Sequence, residues 1–206
     1  MKNDENWLAW ATELQSLAQA GLYYGGTVFD KERYQRVREI AAQMMAAGTG
    51  LPLKKVETLF CNETGYQTPK MDTRSAIIRD EKILLVQESD GYWALPGGWV
   101  DFNLSVGENA VKEVLEEAGL TVKAKRIIAV QDRKRHNQPL YAYDITKIFV
   151  ACECLGGQFQ PNIETQGSGW FTPEALPPLA QEKTTREQIE MCFRASRDPG
   201  WQTLFD

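Results

Sequence analysis

Three carboxylates, those of Glu113, Glu116 and Glu117, stand within five residues of one another in the stretch KEVLEEAGL. Because residues three and four apart share one side of an α-helix, these side chains are expected to point the same way. Like charges about 4 Å apart repel by about 1 kcal/mol in water and about 4 kcal/mol near a protein surface. Repulsion among these three carboxylates would therefore destabilise the helix that carries them. Hard divalent cations bind carboxylate oxygens, and Mg²⁺ keeps positions for water and phosphate. The spacing is therefore compatible with a metal site, but a solvated acidic face is the commoner origin of such a pattern, and the surrounding sequence has to decide between them.

The composition is that of a globular protein with an acidic balance. Of 206 residues, 43% are hydrophobic and 25% charged, and the formal net charge is -5. Nucleic-acid backbones bind basic surfaces, so no nucleic-acid partner is expected. The sequence contains neither a run of about 18 apolar residues nor the apolar stretch of a signal peptide, so we expect a cytoplasmic protein without a membrane partner.

Cysteine and histidine are too few and too scattered for most other site chemistries. No C-x-x-C pair occurs, and His136 is the single histidine, so structural zinc is not expected and a nucleophilic triad would depend on His136 alone. Cys152 and Cys154 alternate along a predicted strand, which indicates buried reduced thiols.

The first third of the chain has apolar residues at helical spacing. The pattern predicts helices over residues 5–20, 30–47 and 52–60, with Gly21 ending the first and Gly48 and Gly50 ending the second. About 60 residues make a marginal independent core, so this unit is expected to pack on another domain or a second subunit. We therefore predict an N-terminal helical domain over 1–62, a linker over 62–69 and a second domain over 68–206.

The second domain reads as strands around one central helix and one C-terminal helix. Ser105 is a suitable N-cap for the central helix, which carries the three glutamates and ends at Gly119. Because strands dominate around these helices, the pattern predicts an α+β or α/β sandwich rather than a Rossmann sheet. No G-x-G-x-x-G or P-loop occurs. The predicted strands are 71–80, 82–88, 92–97, 122–132, 141–154 and 169–171, and the predicted helices are 105–118 and 184–196.

Residues 98–120, GWVDFNLSVGENAVKEVLEEAGL, resemble the Nudix box, whose pattern is G-x5-E-x7-R-E-U-x-E-E-x-G-U with U an aliphatic residue. Two positions depart from this pattern, because Leu104 stands in place of its first Glu and Lys112 in place of its Arg. The matching positions are Gly98, Glu113, Val114, Glu116, Glu117, Gly119 and Leu120.

The resemblance implies a Nudix α/β/α sandwich with a mixed sheet and a site for Mg²⁺ or Mn²⁺. Its implied metal ligands are Glu113, Glu116, Glu117 and the backbone carbonyl of Gly98, with Glu117 expected to bridge ions. Lys112 keeps the charge of the family's Arg but not its planar fork. The loss of the early Glu at Leu104 leaves the number of ions open, and Glu108 or Asp101 could substitute for it.

The N-terminal helices together with WALPGGWVD and IAVQDRKRHNQP resemble a bacterial subgroup of ADP-ribose pyrophosphatases, with relatives that cleave CDP-choline or UDP-linked sugars. This implies a homodimeric, metal-dependent pyrophosphohydrolase of nucleoside diphosphate-X compounds, with ADP-ribose giving AMP and ribose 5-phosphate. The alternatives are a CDP-choline or UDP-sugar diphosphatase, a nucleoside triphosphate hydrolase, and a non-catalytic ADP-ribose-sensing module.

Cationic and aromatic residues near the box are candidates for substrate binding. Arg74, Arg133 and His136 could bind phosphate oxygens. Trp99, Phe102 and Tyr141 could stack on a nucleobase, although aromatic residues are also common in cores.

The subgroup commonly shows E-T-S-E before a late strand, where this chain has Glu164, Thr165, Gln166 and Gly167. Gly167 cannot accept a proton, so Glu164 or a metal-bound hydroxide is the expected general base.

Overall fold

The computed structural model describes residues 6–162 and 164–206, so residue 5 of the first predicted helix lies outside the described part. The chain divides into two compact units, Met1–Pro69 and Lys70–Asp206.

The N-terminal unit contains three helices, α1 (Asn6–Tyr24), α2 (Val28–Thr49) and α3 (Leu53–Phe60). The hydroxyl of Thr27 accepts a hydrogen bond from the backbone N–H of Asp30 at 3.1 Å, which caps α2 at its N-terminus. Gly50, with φ of 71°, ends the same helix in the left-handed conformation. The first two helices pack on each other, and small residues such as Ala11 and Ala41 are buried between surrounding side chains.

Two of the predicted helix ends are wrong, because the glycines serve close packing instead. α1 continues through Gly21 to Tyr24, and a Cβ at Gly21 would lie 2.3 Å from the ring of Tyr34. Gly48 lies inside α2, where a Cβ would lie 2.3 Å from the indole of Trp7. At both positions a ring lies directly on the helix backbone, which only glycine permits.

The second unit is built on a mixed sheet with the strand order β3-β2-β1-β5-β4-β7, and β6, which lies off this path, also pairs with β2. The β1–β5 and β4–β7 pairs are parallel and the other pairs are antiparallel. The strands are β1 (Lys70–Arg79), β2 (Lys82–Glu88), β3 (Trp93–Ala94), β4 (Leu120–Asp132), β5 (Ile145–Gly157), β6 (Thr165–Phe171) and β7 (Leu204–Phe205).

Helices cover both faces of this sheet. Alternate residues of a strand face opposite sides, and those of β2 divide between two cores: Leu84 packs with the side chains of α4 (Val106–Ala118), and Leu85 packs with those of α6 (Arg186–Arg197). A short helix, α5 (Arg133–His136), follows β4. The predicted α+β sandwich with a mixed sheet and preceding helices is confirmed.

The strand predicted from Tyr141 begins only at Ile145. Residues 141–144 form an irregular segment whose tyrosines are exposed, although aromatic residues favour strands. The late strand also begins earlier than predicted, at Thr165. Across residues 6–162 and 164–206, no helix is both long and apolar enough to cross a membrane.

Candidate active site

The helix α4 has well-defined ends that fix the position of the three glutamates. Ser105 accepts a hydrogen bond from the N–H of Glu108 at 3.3 Å, and the Glu108 carboxylate accepts one from the N–H of Ser105 at 2.8 Å, which forms a capping box. Gly119 ends the helix with φ of 65°, and a Cβ there would lie 2.4 Å from the carbonyl oxygen of Gln158. Both predicted ends are therefore observed.

Two glycines that precede α4, Gly97 and Gly98, allow the backbone to lie close to the carboxylates of the helix. The N–H of Gly97 donates to Oε2 of Glu117 at 2.8 Å. Gly97 has φ of 146°, and a Cβ there would lie 1.9 Å from the carbonyl oxygen of Thr73, so no other residue fits. A Cβ at Gly98 would lie 3.0 Å from Oε2 of Glu113. The Gly98 carbonyl accepts a hydrogen bond from the N–H of Thr73 at 2.9 Å, which ties this loop to β1.

Asn109 is a fully buried brace that the sequence did not single out. Its amide donates to the hydroxyl of Thr73 at 2.9 Å, and its amide oxygen accepts from the N–H of Asp101 at 3.2 Å. Asn109 thereby joins α4 to β1 and to the glycine loop.

The segment before β6 is bound to the C-terminal end of α4. Asn162 donates to the carbonyl of Glu116, and the hydroxyl of Thr165 donates to the carbonyl of Glu117, both at 2.8 Å. These bonds satisfy carbonyls that a helix end leaves without partners. They also place Glu164 beside the glutamate helix.

A cavity of about 380 Å³ lies over this helix and is lined by charges of both signs. Carboxylates can hold a cation and cationic groups can hold phosphate oxygens, so both requirements of metal-assisted phosphate chemistry meet here. The acidic residues lining it are Asp72, Asp101, Glu113, Glu116, Glu117, Glu164 and Glu182, and the basic ones are Arg74, Lys112, Arg133, Lys147 and Lys183.

Lys112 lies among three carboxylates. Its Nζ is 3.1 Å from Oε1 of Glu113, 2.9 Å from Oε2 of Glu116 and 3.4 Å from Oδ2 of Asp101. Hydrogen bonding to Glu116, then to Glu113, raises the pKa of Lys112. Of the two candidates for replacing the early Glu, Asp101 lines the cavity, whereas Glu108 is engaged in the capping box.

Burial disfavours the charged form of two of the glutamates. Burial raises the pKa of Glu117 to about 7, against the lowering effects of Arg74 and the N–H of Gly97. Burial also raises the pKa of Glu113. Buried carboxylate oxygens of this kind are hard donors that suit a divalent cation. In the part of the chain that the structure describes, no three acidic, histidine or cysteine side chains are already gathered as a metal site.

In the same cavity as these glutamates, a buried charge cluster connects β1 and β5. Arg74 donates to both carboxylate oxygens of Asp72, at 2.9 and 2.8 Å, and to the carbonyl of Leu95 at 3.3 Å. Nζ of Lys147 lies 3.7 Å from Oδ2 of Asp72 and donates to the carbonyl of Lys183. These cations give the cavity a positive wall.

Arg133 is 3% exposed and also lines the cavity. Its guanidinium carbon lies 3.6 Å from the ring centroid of Tyr141. Nε donates to the carbonyl of Glu182 at 3.2 Å and Nη1 to that of Pro139 at 2.8 Å, while Nη2 is buried with no hydrogen-bond partner among the described residues. Burial lowers the pKa of Arg133.

Two sequence candidates lie outside this cavity. Nε2 of His136 is 3.0 Å from both carboxylate oxygens of Asp206, and His136 is not among the described residues that line the site. Phe102 is fully exposed and is likewise not a lining residue. The other candidates, Gly98, Trp99, Glu113, Glu116, Glu117, Arg74, Arg133, Tyr141 and Glu164, are brought together.

Sequence reasoning missed Lys147, Lys183 and Asp72. A lone lysine inside the apolar run ITKIFVAC was a usable signal for Lys147. Asp72 and Lys183 offered none, because their positions depend on pairings between distant segments.

Family comparisons agree with this architecture. Residues 5–60 match the UDP-X-like, N-terminal oligomerisation domain, and residues 69–192 match the NUDIX domain. The Bacillus subtilis (strain 168) protein named "Putative ADP-ribose pyrophosphatase YjhB" is 39% identical over 207 residues, which cover 100% of both chains.

Two solved structures are also similar to this chain. A crystal structure of an ADP-ribose pyrophosphatase from Streptococcus suis 89-1591 has 53% identity and a TM-score of 0.64, covering 68% of this chain and 100% of its own. A crystal structure of a UDP-X diphosphatase has 33% identity and a TM-score of 0.64, covering 98% of each chain. The matched domain spans more than half of the chain and includes the glutamate helix with its cavity, and on these grounds the protein belongs to the Nudix hydrolase family.

Proposed function

We propose that the protein is a Mg²⁺-dependent pyrophosphatase of nucleoside diphosphate-X compounds that cleaves ADP-ribose to AMP and ribose 5-phosphate, with Mn²⁺ as an alternative ion. One observation carries the proposal: the three glutamates of α4 share a single cavity with a wall of buried cations. The similar proteins named as ADP-ribose pyrophosphatases support the choice of substrate.

The metal would be held by Glu113, Glu116 and Glu117, with the carbonyl of Gly98 as a further ligand. That carbonyl accepts one hydrogen bond in this structure and retains a second lone pair. A bound divalent ion supplies Lewis-acid polarisation of a phosphate and activation of water.

The basic residues of the cavity bind and orient the diphosphate. Arg74 is held rigidly by Asp72, and Lys147 and Lys183 add positive charge beside it. Fixed cations that face the charge developing on phosphate oxygens lower the barrier without reorganising during the reaction. Glu164 lines the same cavity and is the proposed proton acceptor for the attacking water.

Several further assignments belong with this proposal. The match to an oligomerisation domain supports a homodimer. The four cysteines are free thiols, as expected of a reducing compartment, which supports a cytoplasmic location. We place the boundary between the helical domain and the Nudix domain between residues 62 and 68.

The first test is product release from ADP-ribose, UDP-glucose, CDP-choline and dGTP with Mg²⁺ or Mn²⁺, using wild type and Glu117→Gln. Removing a principal ligand carboxylate should lower kcat for ADP-ribose by about 100-fold or more. Glu190→Gln, which removes an exposed carboxylate on α6 outside the cavity, is the matched control and should behave as wild type. Full activity of Glu117→Gln would contradict the proposed metal site.

A UDP-linked substrate is the second candidate. It is favoured by the UDP-X diphosphatase structure, which matches this chain over nearly its whole length, and by the UDP-X-like description of the N-terminal domain. Preferential turnover of UDP-glucose would select it. Nucleotide binding without turnover would instead favour a sensing module.

A further inference from the structure

Trp99, Tyr141 and Tyr143 form a row of three aromatic side chains, which we call the aromatic wall. The ring centroids of Trp99 and Tyr143 are 6.2 Å apart and those of Tyr141 and Tyr143 are 6.0 Å apart, with interplanar angles of 54° and 57°. Each side chain is more than one third exposed: 46% for Trp99, 36% for Tyr141 and 38% for Tyr143. Arg133 lies over the ring of Tyr141, and Nζ of Lys70 lies 5.9 Å from the ring centroid of Tyr143. The open ring surface of the wall is therefore that of Trp99 and of the parts of the two tyrosines that these cations do not cover.

The aromatic wall leads from the glutamate cavity to a second cavity. Trp99 and Tyr141 line the cavity that holds Glu113, Glu116 and Glu117. Trp99 and Tyr143 line a neighbouring cavity of about 320 Å³. The remaining lining residues of the second cavity are Lys70, Met71 and Val100.

The two cavities differ in chemistry. The glutamate cavity is lined mainly by charged side chains, which suit a metal ion and phosphates. The second cavity contains two aromatic rings, two apolar side chains and one lysine. In a nucleoside diphosphate-X compound whose X is a sugar, the base is the one flat aromatic part, and aromatic side chains stack on every base because each has a π-face. The base therefore fits the aromatic end and the diphosphate fits the charged end.

We infer that the aromatic wall is the nucleobase platform of this protein, with the base entering the second cavity and stacking on Tyr143. The inference rests on the proposed function, because it assumes that the diphosphate lies over α4. It assigns a role to Tyr143, which does not line the glutamate cavity.

The test measures binding of AMP, CMP and UMP by calorimetry, with ribose 5-phosphate as a probe that lacks a base. For the nucleotide that wild type binds most tightly, Tyr143→Leu should weaken affinity by about tenfold or more. Tyr143→Phe keeps the ring and should bind as wild type. Tyr92→Leu, which removes an exposed tyrosine outside both cavities, is the control for a general surface effect. All variants should have the wild-type melting temperature.

Unchanged nucleotide affinity in Tyr143→Leu would overturn the inference, as would equal weakening for ribose 5-phosphate or no nucleotide binding by wild type. Turnover of ADP-ribose is measured separately, where Tyr143→Leu should raise KM more than it lowers kcat. If nucleotide binding depends on Tyr143 but no substrate is turned over, the proposed function is contradicted and the nucleobase platform is still supported. Normal turnover with an unchanged KM in Tyr143→Leu would contradict the platform alone.

Discussion

Lys147 carries an ammonium group into the protein on a strand face that it shares with Ile145 and Phe149. Burial, with the nearby charge of Arg74, lowers its pKa to about 7. Asp72 opposes this shift, but its carboxylate is already bound by both arms of Arg74. A buried ammonium group is destabilised in its charged form, and a phosphate bound beside it would stabilise that form, so Lys147 suits a phosphate-binding site.

We expect Lys147→Met to flatten the pH dependence of the free energy of unfolding above pH 7. The folded-state pKa of about 7 lies below the ordinary value of 10.5. Between these two values the unfolded chain binds one proton more than the folded chain, so this lysine makes wild-type stability rise with pH by up to about 1.4 kcal/mol per pH unit. The charged groups around Lys147 are Asp72, Arg74 and Arg133.

Urea unfolding at several pH values between about 6.5 and 9.5 measures this effect. Lys125→Met removes an exposed lysine of β4 and should keep the wild-type profile. Parallel profiles for wild type and Lys147→Met would show that Lys147 does not titrate in this range.

Residue types at fixed spacing along the chain were predictable. The three glutamates and Gly98 lie in one continuous motif, so their spacing identifies them without any knowledge of the fold. Lys147 meets Asp72 only because β1 and β5 pair in parallel with Asp72 opposite Lys147, a register that local sequence does not encode. His136 was predicted to bind phosphate but does not line the cavity, because a basic residue in a short motif gives no direction for its side chain.

At the level of elements, α1 and α2 pack through two glycines that each face an aromatic ring. Glycine commonly marks a helix end, so sequence spacing predicted helices in the correct regions with wrong limits. Glycine also allows close approach between a helix and a ring, and this second use is decided by tertiary contacts. Irregular residues 141–144 illustrate the same limit, since Tyr141 and Tyr143 have strand-forming side chains but border cavities.

Gly48→Ala should destabilise the N-terminal unit. The new methyl would lie 2.3 Å from the indole of Trp7, and overpacking of this kind costs about 1–3 kcal/mol, which exceeds the gain in helix propensity of about 1 kcal/mol. Circular dichroism during thermal unfolding would detect a lower melting temperature.

Gly26→Ala is the matched control, because nothing lies within 4 Å of its Cβ position. It should be neutral or slightly stabilising. A melting temperature for Gly48→Ala equal to that of Gly26→Ala would show that the indole can move aside at little cost.

At the level of the whole molecule, α1 exposes a stripe of large apolar residues. Trp10, Leu17 and Tyr24 are 56%, 57% and 66% exposed and are spaced seven residues apart, which returns nearly to the same helix face. Exposed apolar stripes of this kind mark interaction surfaces. Residues 5–60 match an oligomerisation domain, so we expect a second copy of the chain to bind this stripe.

We therefore expect Leu17→Glu to convert the proposed homodimer to a monomer in light scattering at micromolar concentration. A carboxylate in an apolar interface loses its hydration without a partner, which is costly. Leu155→Glu makes the same change at an exposed leucine of β5 and should leave the molar mass of the assembly unchanged. A Leu17→Glu protein of unaltered mass would place the interface elsewhere.

Lys112 affects the charge balance that the proposed metal ion would meet at α4. Without it, α4 would have to bring the carboxylates of Glu113 and Glu116 together while they repel each other. Its ammonium group lies within 3.1 Å of both, so the chain supplies its own counter-ion. If the proposed divalent ion binds these carboxylates, it would therefore replace the ammonium group of Lys112 as their counter-charge.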